Sequence, residues 1–321
     1  MARNTKQGNK IAVVGAGQVG VTTAYTLLLS GLAQDIVLID LNKDKVDGEV
    51  MDLRHGIPLL PPAEIRGGSY EDLADSDIVI VSAGVGQKAG ETRMQLNSRN
   101  IAVMRSIIPE IAKNAPDTII LMVTNPCDVL TYAALKISGF PPQRVIGSGT
   151  VLDTSRLRYL LSQRASIDSR NIHTYILGEH GESEFAAWSL TTIAGMPLHG
   201  YGDNQLCFPK WDIEKDEKEY LQLVRGSAQE IIAKKGATFY AVAVAVKRIC
   251  EAILRDENSI LTVSTLLSGE MGIKDVCLSL PCRVGIGGVS RKIDIALDED
   301  ERRSLDISAK AIRSALDEVG M

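Results

Sequence analysis

The sequence predicts an α/β protein in which a doubly wound parallel sheet is followed by a second, mixed α+β domain. Short apolar runs alternate with helical patterns up to about residue 150. These runs are apolar throughout, as strands buried on both faces of a parallel sheet are. After residue 150 the pattern changes to short strand-like runs and long helices. We therefore expect two domains, residues 8–150 and residues 151–321.

Each element follows from these patterns. The first domain should contain five strands, over residues 11–17, 35–40, 77–84, 118–125 and 144–149, with helices at 18–30 and 96–114 among those between them. The second should begin with a helix over 151–164, followed by the strand-like runs NIHTYILG and AWSLTTIAGM. A helical region over about 212–255 should break near Gly236. We expect antiparallel strands at SILTVSTLL, VCLSLP and KIDIAL, and a final helix over 299–319 that starts with acidic residues.

Composition argues against several classes of protein, including nucleic-acid-binding, membrane-spanning and secreted proteins. The net charge of −5 gives no electrostatic footprint for nucleic acid. The longest apolar stretch, residues 239–246, is far shorter than the ~18 residues of a membrane span, and the N-terminus has no apolar signal core. The five cysteines are odd in number and include no CxxC pair, which indicates free buried thiols in a reducing cytoplasm and no metal site.

A glycine-rich motif follows the first strand. GAGQVG, residues 15–20, is a G-x-G-x-x-G that opens a helix, and Asp40 ends the next strand. This arrangement predicts a Rossmann-type dinucleotide site. Gly15 permits the tight turn, Gly17 lets a pyrophosphate approach the helix N-terminus, and Gly20 lets the helix pack against the strand. Asp40 would accept hydrogen bonds from ribose hydroxyls and repel a 2′-phosphate, which favours NAD over NADP.

Polar residues recur where the predicted parallel strands end. Ligands bind at this edge of such sheets. Asp153 and Arg156 are three residues apart at the start of a helix and share a face, whereas Arg158 points elsewhere. Taken alone, these three residues could be an acid that interacts favourably with the helix dipole and two arginines on the surface. Six of these side chains could, however, converge on one cleft: Gln87, Arg93, Asn125, Asp153, Arg156 and His180. Together they would supply a proton carrier, a carboxylate partner for it, a fork that binds a substrate carboxylate and a cation near a carbonyl.

Together these motifs resemble the lactate/malate dehydrogenase family over nearly the whole chain from residue 10. The matching segments, in the family's order, are GAGQVG, DLNKDK, VMDLRHG, AGVGQKAGETR, VTNPCDVLT, GSGTVLDTSRLR, GEHGES and KKGATFYAVA. One departure is Ala89, where relatives usually carry proline. The resemblance implies that His180 is the acid/base, Asp153 its partner, Arg156 the carboxylate anchor and Arg93 an arginine on a lid. By the same resemblance, Asn125, Asp128 and Thr238 line the substrate pocket, and the further NAD contacts are Val19, Lys45, Tyr70, Ala83, Gly84, Ser106, Val123, Asn125 and Ser148.

Gln87 bears on the substrate. The segment that carries it resembles a lid whose glycines at 84, 86 and 90 let it close. Malate-specific members place an arginine at this position to pair with a second carboxylate. Glutamine would leave that carboxylate buried and unpaired, which is costly. We therefore expect pyruvate and L-lactate as the substrate pair of an NAD-dependent hydride transfer at the end of glycolysis, in fermentation. Malate dehydrogenase, another 2-hydroxy-acid dehydrogenase and a non-catalytic NAD-binding protein remain alternatives.

Arg158 and His173 match positions that bind fructose 1,6-bisphosphate between subunits in bacterial members of the family. The resemblance thus implies allosteric activation by this sugar and a homotetramer. Two cations from each of two subunits, meeting across a two-fold axis, would suit a bisphosphate. In an arbitrary protein the same two residues would be polar surface positions.

Overall fold

The structure, a computed structural model, describes residues 8–86, 90, 92–198 and 211–321, with only the backbone at Arg93 and Ile213. An eight-stranded sheet runs through it, in the order β14 (Lys274–Ser279), β13 (Ser264–Ser268), then β6-β5-β4-β1-β2-β3. The six parallel strands are β1 (Lys10–Val14), β2 (Asp35–Ile39), β3 (Glu64–Gly67), β4 (Ile78–Val81), β5 (Ile119–Met122) and β6 (Val145–Gly147). Strand order reverses between β1 and β4, which creates the crevice where such sheets bind ligands.

Five of these strands were predicted and β3 was missed. It lies at the edge of the sheet, and only Ile65 of its four residues is buried. An edge strand of this kind lacks the continuous apolar run that marks the central strands.

Helices cover both faces of the sheet. They are α1 (Gln18–Ser30), α2 (Lys43–Gly56), α3 (Arg93–Asn114) and α4 (Cys127–Ser138). Alternate residues of β4 enter two different apolar clusters, Val79 with Met104 of α3 on one face and Ile80 with Leu27 of α1 on the other. This double burial explains why the strand is apolar at every position.

The second half begins with α5 (Val151–Ala165), as predicted. Short strands follow: β7 (Ile172–His173), β8 (Ile176–Leu177), β9 (Phe185–Ala186), β10 (Thr192–Ile193) and β11 (Met196–Pro197). The helical region then consists of α6 (Ile213–Lys235) and α7 (Tyr240–Leu254). Gly236 ends α6 with a φ of 88°, a left-handed conformation that favours glycine, so the predicted break is confirmed.

The remaining elements are β12 (Ser259–Leu261), β13 (Ser264–Ser268), β14 (Lys274–Ser279), β15 (Cys282–Gly285), β16 (Gly288–Lys292) and α8 (Glu299–Glu318). SILTVSTLL therefore forms two strands that belong to different sheets, and KIDIAL is not a strand beyond Lys292. β13 pairs antiparallel with β6 and with β14, so the first sheet continues past residue 150. The final helix begins as predicted, and Asp298 and Glu301 form a capping box there.

Four cysteines in the described part of the chain are buried and free: Cys127, Cys250, Cys277 and Cys282. Burial raises the pKa of Cys127, Cys250 and Cys282 to about 12, so these thiols stay protonated. The expectation of free buried thiols is confirmed for these four, and Cys207 lies outside the described residues. Among the helices that the structure describes, none combines the length and the apolar character that crossing a membrane requires.

Candidate active site

His180 lies in the loop between β8 and β9, and α8 fixes this loop. Gly178 has a φ of +89°, and a Cβ there would lie 2.3 Å from Oγ of Ser308, so the position requires glycine. The Ser308 hydroxyl accepts a hydrogen bond from the Glu179 N–H at 3.0 Å and donates one to the Ser183 carbonyl at 2.8 Å. The loop therefore presents His180 on a rigid support.

Asp153 binds two side chains at once. Its Oδ2 lies 2.6 Å from Nδ1 of His180, and its Oδ1 accepts a hydrogen bond from Nη1 of Arg156 at 2.6 Å. The side chain of Asp153 is 2% exposed, whereas that of His180 is 24% exposed. Because Nδ1 is held by the carboxylate, Nε2 is the nitrogen that remains for a ligand in the cleft. The structure thus brings together three residues that the sequence predicted to act together.

These contacts set the ionisation of the pair. Burial acts to lower the pKa of His180, but the charge and hydrogen bond of Asp153 outweigh it and raise that pKa to about 9. Burial acts to raise the pKa of Asp153, but His180 and Arg156 lower it overall. At neutral pH the pair is therefore an imidazolium and a carboxylate, and the imidazolium can give up a proton.

Asp128 holds the backbone of His180. Its Oδ2 accepts a hydrogen bond from the His180 N–H at 2.7 Å, and the residue is 1% exposed. Burial raises the pKa of Asp128 to about 6, although hydrogen bonds and the charge of His180 act to lower it. That Asp128 lines the substrate pocket stays a prediction. Its contact positions His180.

Asn100 of α3 was missed by the sequence analysis. It is fully buried, and its side chain accepts a hydrogen bond from the Val85 N–H at 2.8 Å and donates one to the Asn125 carbonyl at 3.2 Å. It thereby holds the start of the predicted lid against the end of β5. A polar residue on the buried face of an amphipathic helix was the available signal.

The other predicted substrate residues are placed as follows. Asn125 is exposed just after β5, and Thr238 is half-buried in the connection between α6 and α7. Arg93 begins α3, and only its backbone is described. Gln87 and Ala89 lie outside the described residues.

The glycine turn between β1 and α1 has the geometry that a pyrophosphate needs. Gly15 has a φ of +112°, and a Cβ at Gly20 would lie 1.9 Å from the Gly15 carbonyl oxygen. Gly17, by contrast, caps α1, and its Cβ position has no atom within 4 Å from the described residues beyond its chain neighbours and its own helix backbone. The N-terminus of α1 therefore faces open space that a phosphate can enter.

Asp40, at the end of β2, lies beside this turn. Its Oδ2 accepts a hydrogen bond from the Ala16 N–H at 2.7 Å, so the carboxylate is fixed where a ribose would follow a bound pyrophosphate. A Cβ at Gly84 would lie 2.3 Å from Cγ2 of Thr124, so the close contact between these two segments requires glycine. The other predicted NAD residues lie directly after β4, β5 and β6 (Ala83, Val123, Ser148) or in the surrounding helical segments (Val19, Lys45, Tyr70, Ser106).

Glu184 is a further buried acid that the sequence analysis did not single out. Ligand atoms of Asp153, His180 and Glu184 all lie within 4.8 Å of one another. Both oxygens of Asp153 already bind other side chains, one of them the cationic Arg156, which disfavours a metal ion between these groups. That no metal is required stays a prediction.

Arg158 contacts the backbone that leads into β7. Its Nη2 donates a hydrogen bond to the Ser169 carbonyl at 2.9 Å, and Ser169 begins the 3-10 turn that leads into β7. His173, on β7, is exposed. Arg158 therefore contacts the segment that leads to His173.

Comparison with known proteins identifies the family. The model of the lactate/malate dehydrogenase NAD-binding domain matches residues 9–147, and the model of the family's α/β C-terminal domain matches residues 150–320. The chain belongs to the lactate/malate dehydrogenase family. It is therefore an NAD-dependent oxidoreductase, and NAD is its cofactor.

Similar proteins agree with this membership of the lactate/malate dehydrogenase family. L-lactate dehydrogenase 1 of Clostridium acetobutylicum is 53% identical over 98% of this chain and 99% of its own length. L-lactate dehydrogenase of Acetivibrio thermocellus is 54% identical over 98% of each chain. The crystal structure of a lactate dehydrogenase from a Medee basin deep-sea metagenome library has a TM-score of 0.94 and 41% identity, and the match covers 98% of this chain and 99% of that chain.

The glycine turn of this dehydrogenase can be tested with a pair of variants. Gly17→Ala should fold normally but weaken NADH binding about tenfold, because the methyl group would enter the phosphate space at a cost of about 1–3 kcal/mol. Gly20→Ala should lower the melting temperature, because its methyl group meets the backbone of Gly15. Thermal denaturation and NADH fluorescence titration measure the two effects. Equal loss of stability in both variants would contradict the assigned phosphate position.

Proposed function

We propose that this dehydrogenase interconverts pyruvate and L-lactate. The observation that supports it best is the carboxylate of Asp153, which holds an imidazole and a guanidinium at 2.6 Å each. Relatives that share half or more of the sequence are named L-lactate dehydrogenases. The free buried thiols support a reducing, cytoplasmic location.

Each residue of the site then has a task. Arg156 would bind the carboxylate of pyruvate with two parallel hydrogen bonds, which fixes the keto carbon in place. Bound NADH supplies the hydride. Nε2 of His180 donates its proton to the keto oxygen, and Asp153 keeps the imidazole in the required tautomer and orientation. Asp128 holds the backbone of His180 during this transfer. Arg93 at the start of α3 would stabilise the developing negative charge when the lid closes.

The raised pKa of His180 sets the pH dependence. Pyruvate reduction needs the imidazolium, so kcat/KM for pyruvate should hold up to about pH 9 and fall above it. Lactate oxidation needs the neutral imidazole, so its kcat/KM should rise through the same pH range.

Gln87 supports pyruvate over oxaloacetate on sequence grounds. We expect Gln87→Arg to shift the ratio of kcat/KM values toward oxaloacetate by at least about tenfold, because the new guanidinium would pair with the second carboxylate. Parallel kinetics with the two keto acids measure this ratio. An unchanged ratio would show that position 87 does not determine specificity.

The test of the proposed function is an NADH-consumption assay with pyruvate and oxaloacetate in parallel. Faster turnover of pyruvate supports the proposal, whereas preference for oxaloacetate indicates the malate dehydrogenase alternative. A third group of wells should contain keto acids with longer side chains, since another 2-hydroxy-acid dehydrogenase would prefer one of these. NADH binding with no turnover of any keto acid would indicate a non-catalytic protein.

We further propose a homotetramer that fructose 1,6-bisphosphate activates at Arg158 and His173. The cationic side chain of Arg158 and the exposed His173 support an anion site remote from the cleft. Exposed apolar residues on the packed helices α1 and α7 support self-association: Tyr25, Leu29, Tyr240 and Val244.

This effector proposal predicts a selective loss in one variant. The sugar bisphosphate should lower KM for pyruvate in the wild type, and Arg158→Gln should respond at least about tenfold less strongly, because one charge-assisted contact to phosphate is lost. Arg170→Gln, which removes an exposed cation nearby, is the matched control. The measurement is the initial rate as a function of effector concentration, at pH 6 and pH 7, for the wild type and both variants. No response in the wild type would refute the proposal.

A further inference from the structure

Glu184 places an unused carboxyl group beside the catalytic pair. It is 2% exposed, yet among the described residues no hydrogen bond to its carboxyl group is found. Its backbone is fixed, because its carbonyl accepts a hydrogen bond from Nε of Arg225 on α6 at 3.1 Å, and the next residue begins β9. A buried carboxyl group held in place without a partner needs a functional explanation.

The charges around Glu184 favour its protonated form. A carboxylate oxygen of Asp153, on α5, lies within 4.8 Å of a carboxyl oxygen of Glu184. Both the burial of Glu184 and the negative charge of Asp153 disfavour ionisation of Glu184. The cations that oppose this are His180 in the same loop, Arg156 on α5 and Arg225 on α6. Burial has the largest effect and the charge of Asp153 the next largest, and together they outweigh the three cations and raise the pKa of Glu184 to about 8.

His180 lies in the same cluster as Glu184 and is affected by its charge. The negative charges that act on His180 are Asp153 from α5, Glu184 from its own loop and Asp128 from α4. Two of them, Asp153 and Asp128, also hold the ring and the backbone of the histidine. Glu184 has neither contact, so its effect on His180 is through charge alone.

We propose that Glu184 is a positioning residue that is neutral when the enzyme reduces pyruvate near neutral pH and that, once ionised in alkaline solution, keeps the imidazolium of His180 protonated. This inference rests on the proposed function, because it concerns the proton that His180 gives to the keto oxygen. The two groups titrate as a coupled pair, so the loss of the Glu184 proton delays the loss of the His180 proton.

Opposite effects on the two reaction directions follow. Glu184→Gln keeps the shape of the protonated acid but cannot ionise. Below about pH 7 the variant should match the wild type in both directions. Above that pH its imidazolium should deprotonate earlier, by about one pH unit, because a unit charge at this distance in a protein is worth at least that much. Near pH 8.5, kcat/KM for pyruvate should fall about threefold while kcat/KM for L-lactate rises about threefold.

The experiment compares full pH profiles of kcat/KM in both directions for the wild type, Glu184→Gln and Glu184→Asp. Glu182→Gln is the matched control, because it removes an exposed acid from the same loop and should shift the profiles less. Glu184→Asp retains an ionisable group and should restore profiles close to those of the wild type. An NMR titration of His180 in Glu184→Gln gives the same shift without turnover.

Opposite shifts of the two profiles, together with an earlier NMR titration, support the inference. A parallel loss of both rates at every pH would show that Glu184 only packs, and coincident profiles would show that its charge does not reach His180. Either result overturns the inference while leaving the proposed function intact, since wild-type turnover of pyruvate is measured in the same series. Failure of the wild type to reduce pyruvate would instead refute the proposed function.

Discussion

Arg156→Lys should reduce kcat/KM for pyruvate by about a hundredfold or more. Arginine offers a planar fork that matches a carboxylate with two hydrogen bonds, whereas lysine is a point charge on a flexible chain. The same guanidinium also contacts Asp153, so the substitution leaves a buried carboxylate with a poorer partner, and breaking such a pair costs about 3–5 kcal/mol. Steady-state kinetics over a wide range of pyruvate concentration measure the effect. Most of the loss should appear as a higher KM.

Arg164→Lys is the matched control for this substitution. Arg164 lies on the same helix, but its Nη2 binds Asp216 at 2.9 Å, away from His180. Its variant should keep kcat/KM within a few-fold of the wild type. Equal losses in both variants would indicate damage to α5 and would remove the support for a carboxylate anchor at Arg156.

His180→Asn should lower kcat by about a hundredfold to ten-thousandfold, the range by which a positioned acid or base accelerates proton transfer. Asparagine can still accept or donate a hydrogen bond, but it cannot deliver a proton. NADH should bind with nearly unchanged affinity, because the glycine turn and Asp40 are held by a hydrogen bond between Ala16 and Asp40 that does not involve His180. Pre-steady-state measurement of NADH oxidation separates the chemical step from binding.

His55→Asn provides the comparison for the histidine. His55 is exposed on α2, so its substitution should leave kcat unchanged. If His180→Asn retained wild-type kcat, another group would have to supply the proton, and the role of the Asp153–His180 pair would be lost.

The parts of the fold that the sequence predicted best have strong local signals. The central strands are apolar on both faces, α1 opens at a glycine motif with a defined spacing, and the final helix begins at a capping box. Edge and connecting strands were harder. β3 buries one residue, and β12 and β13 read as one run because the turn between them contains no glycine or proline. Pairing of β13 with β6 depends on contacts distant in sequence, which local patterns do not encode.

The residues of the candidate site likewise differ in how far local sequence patterns predict them. Asp153 and Arg156 could be paired from helical spacing, and His180 could be selected because glycines flank it. The contacts of Asp128 and Asn100, and the position of Glu184 near His180, arise only in the folded chain. No local pattern indicates that Asp128 meets the backbone of His180, 52 residues away. Glu184 could have been noticed as an acid immediately before an apolar strand, where burial is expected.

A crystal structure of the enzyme with NADH and oxamate tests the proposed chemistry most directly, because oxamate has the carboxylate and carbonyl of pyruvate but is not reduced. We predict two hydrogen bonds from the Arg156 guanidinium to the oxamate carboxylate, and one from Nε2 of His180 to its carbonyl oxygen, each at about 2.7–3.2 Å. Oxamate bound with its carboxylate away from Arg156, or with its carbonyl out of reach of His180, would contradict the proposed roles of both residues.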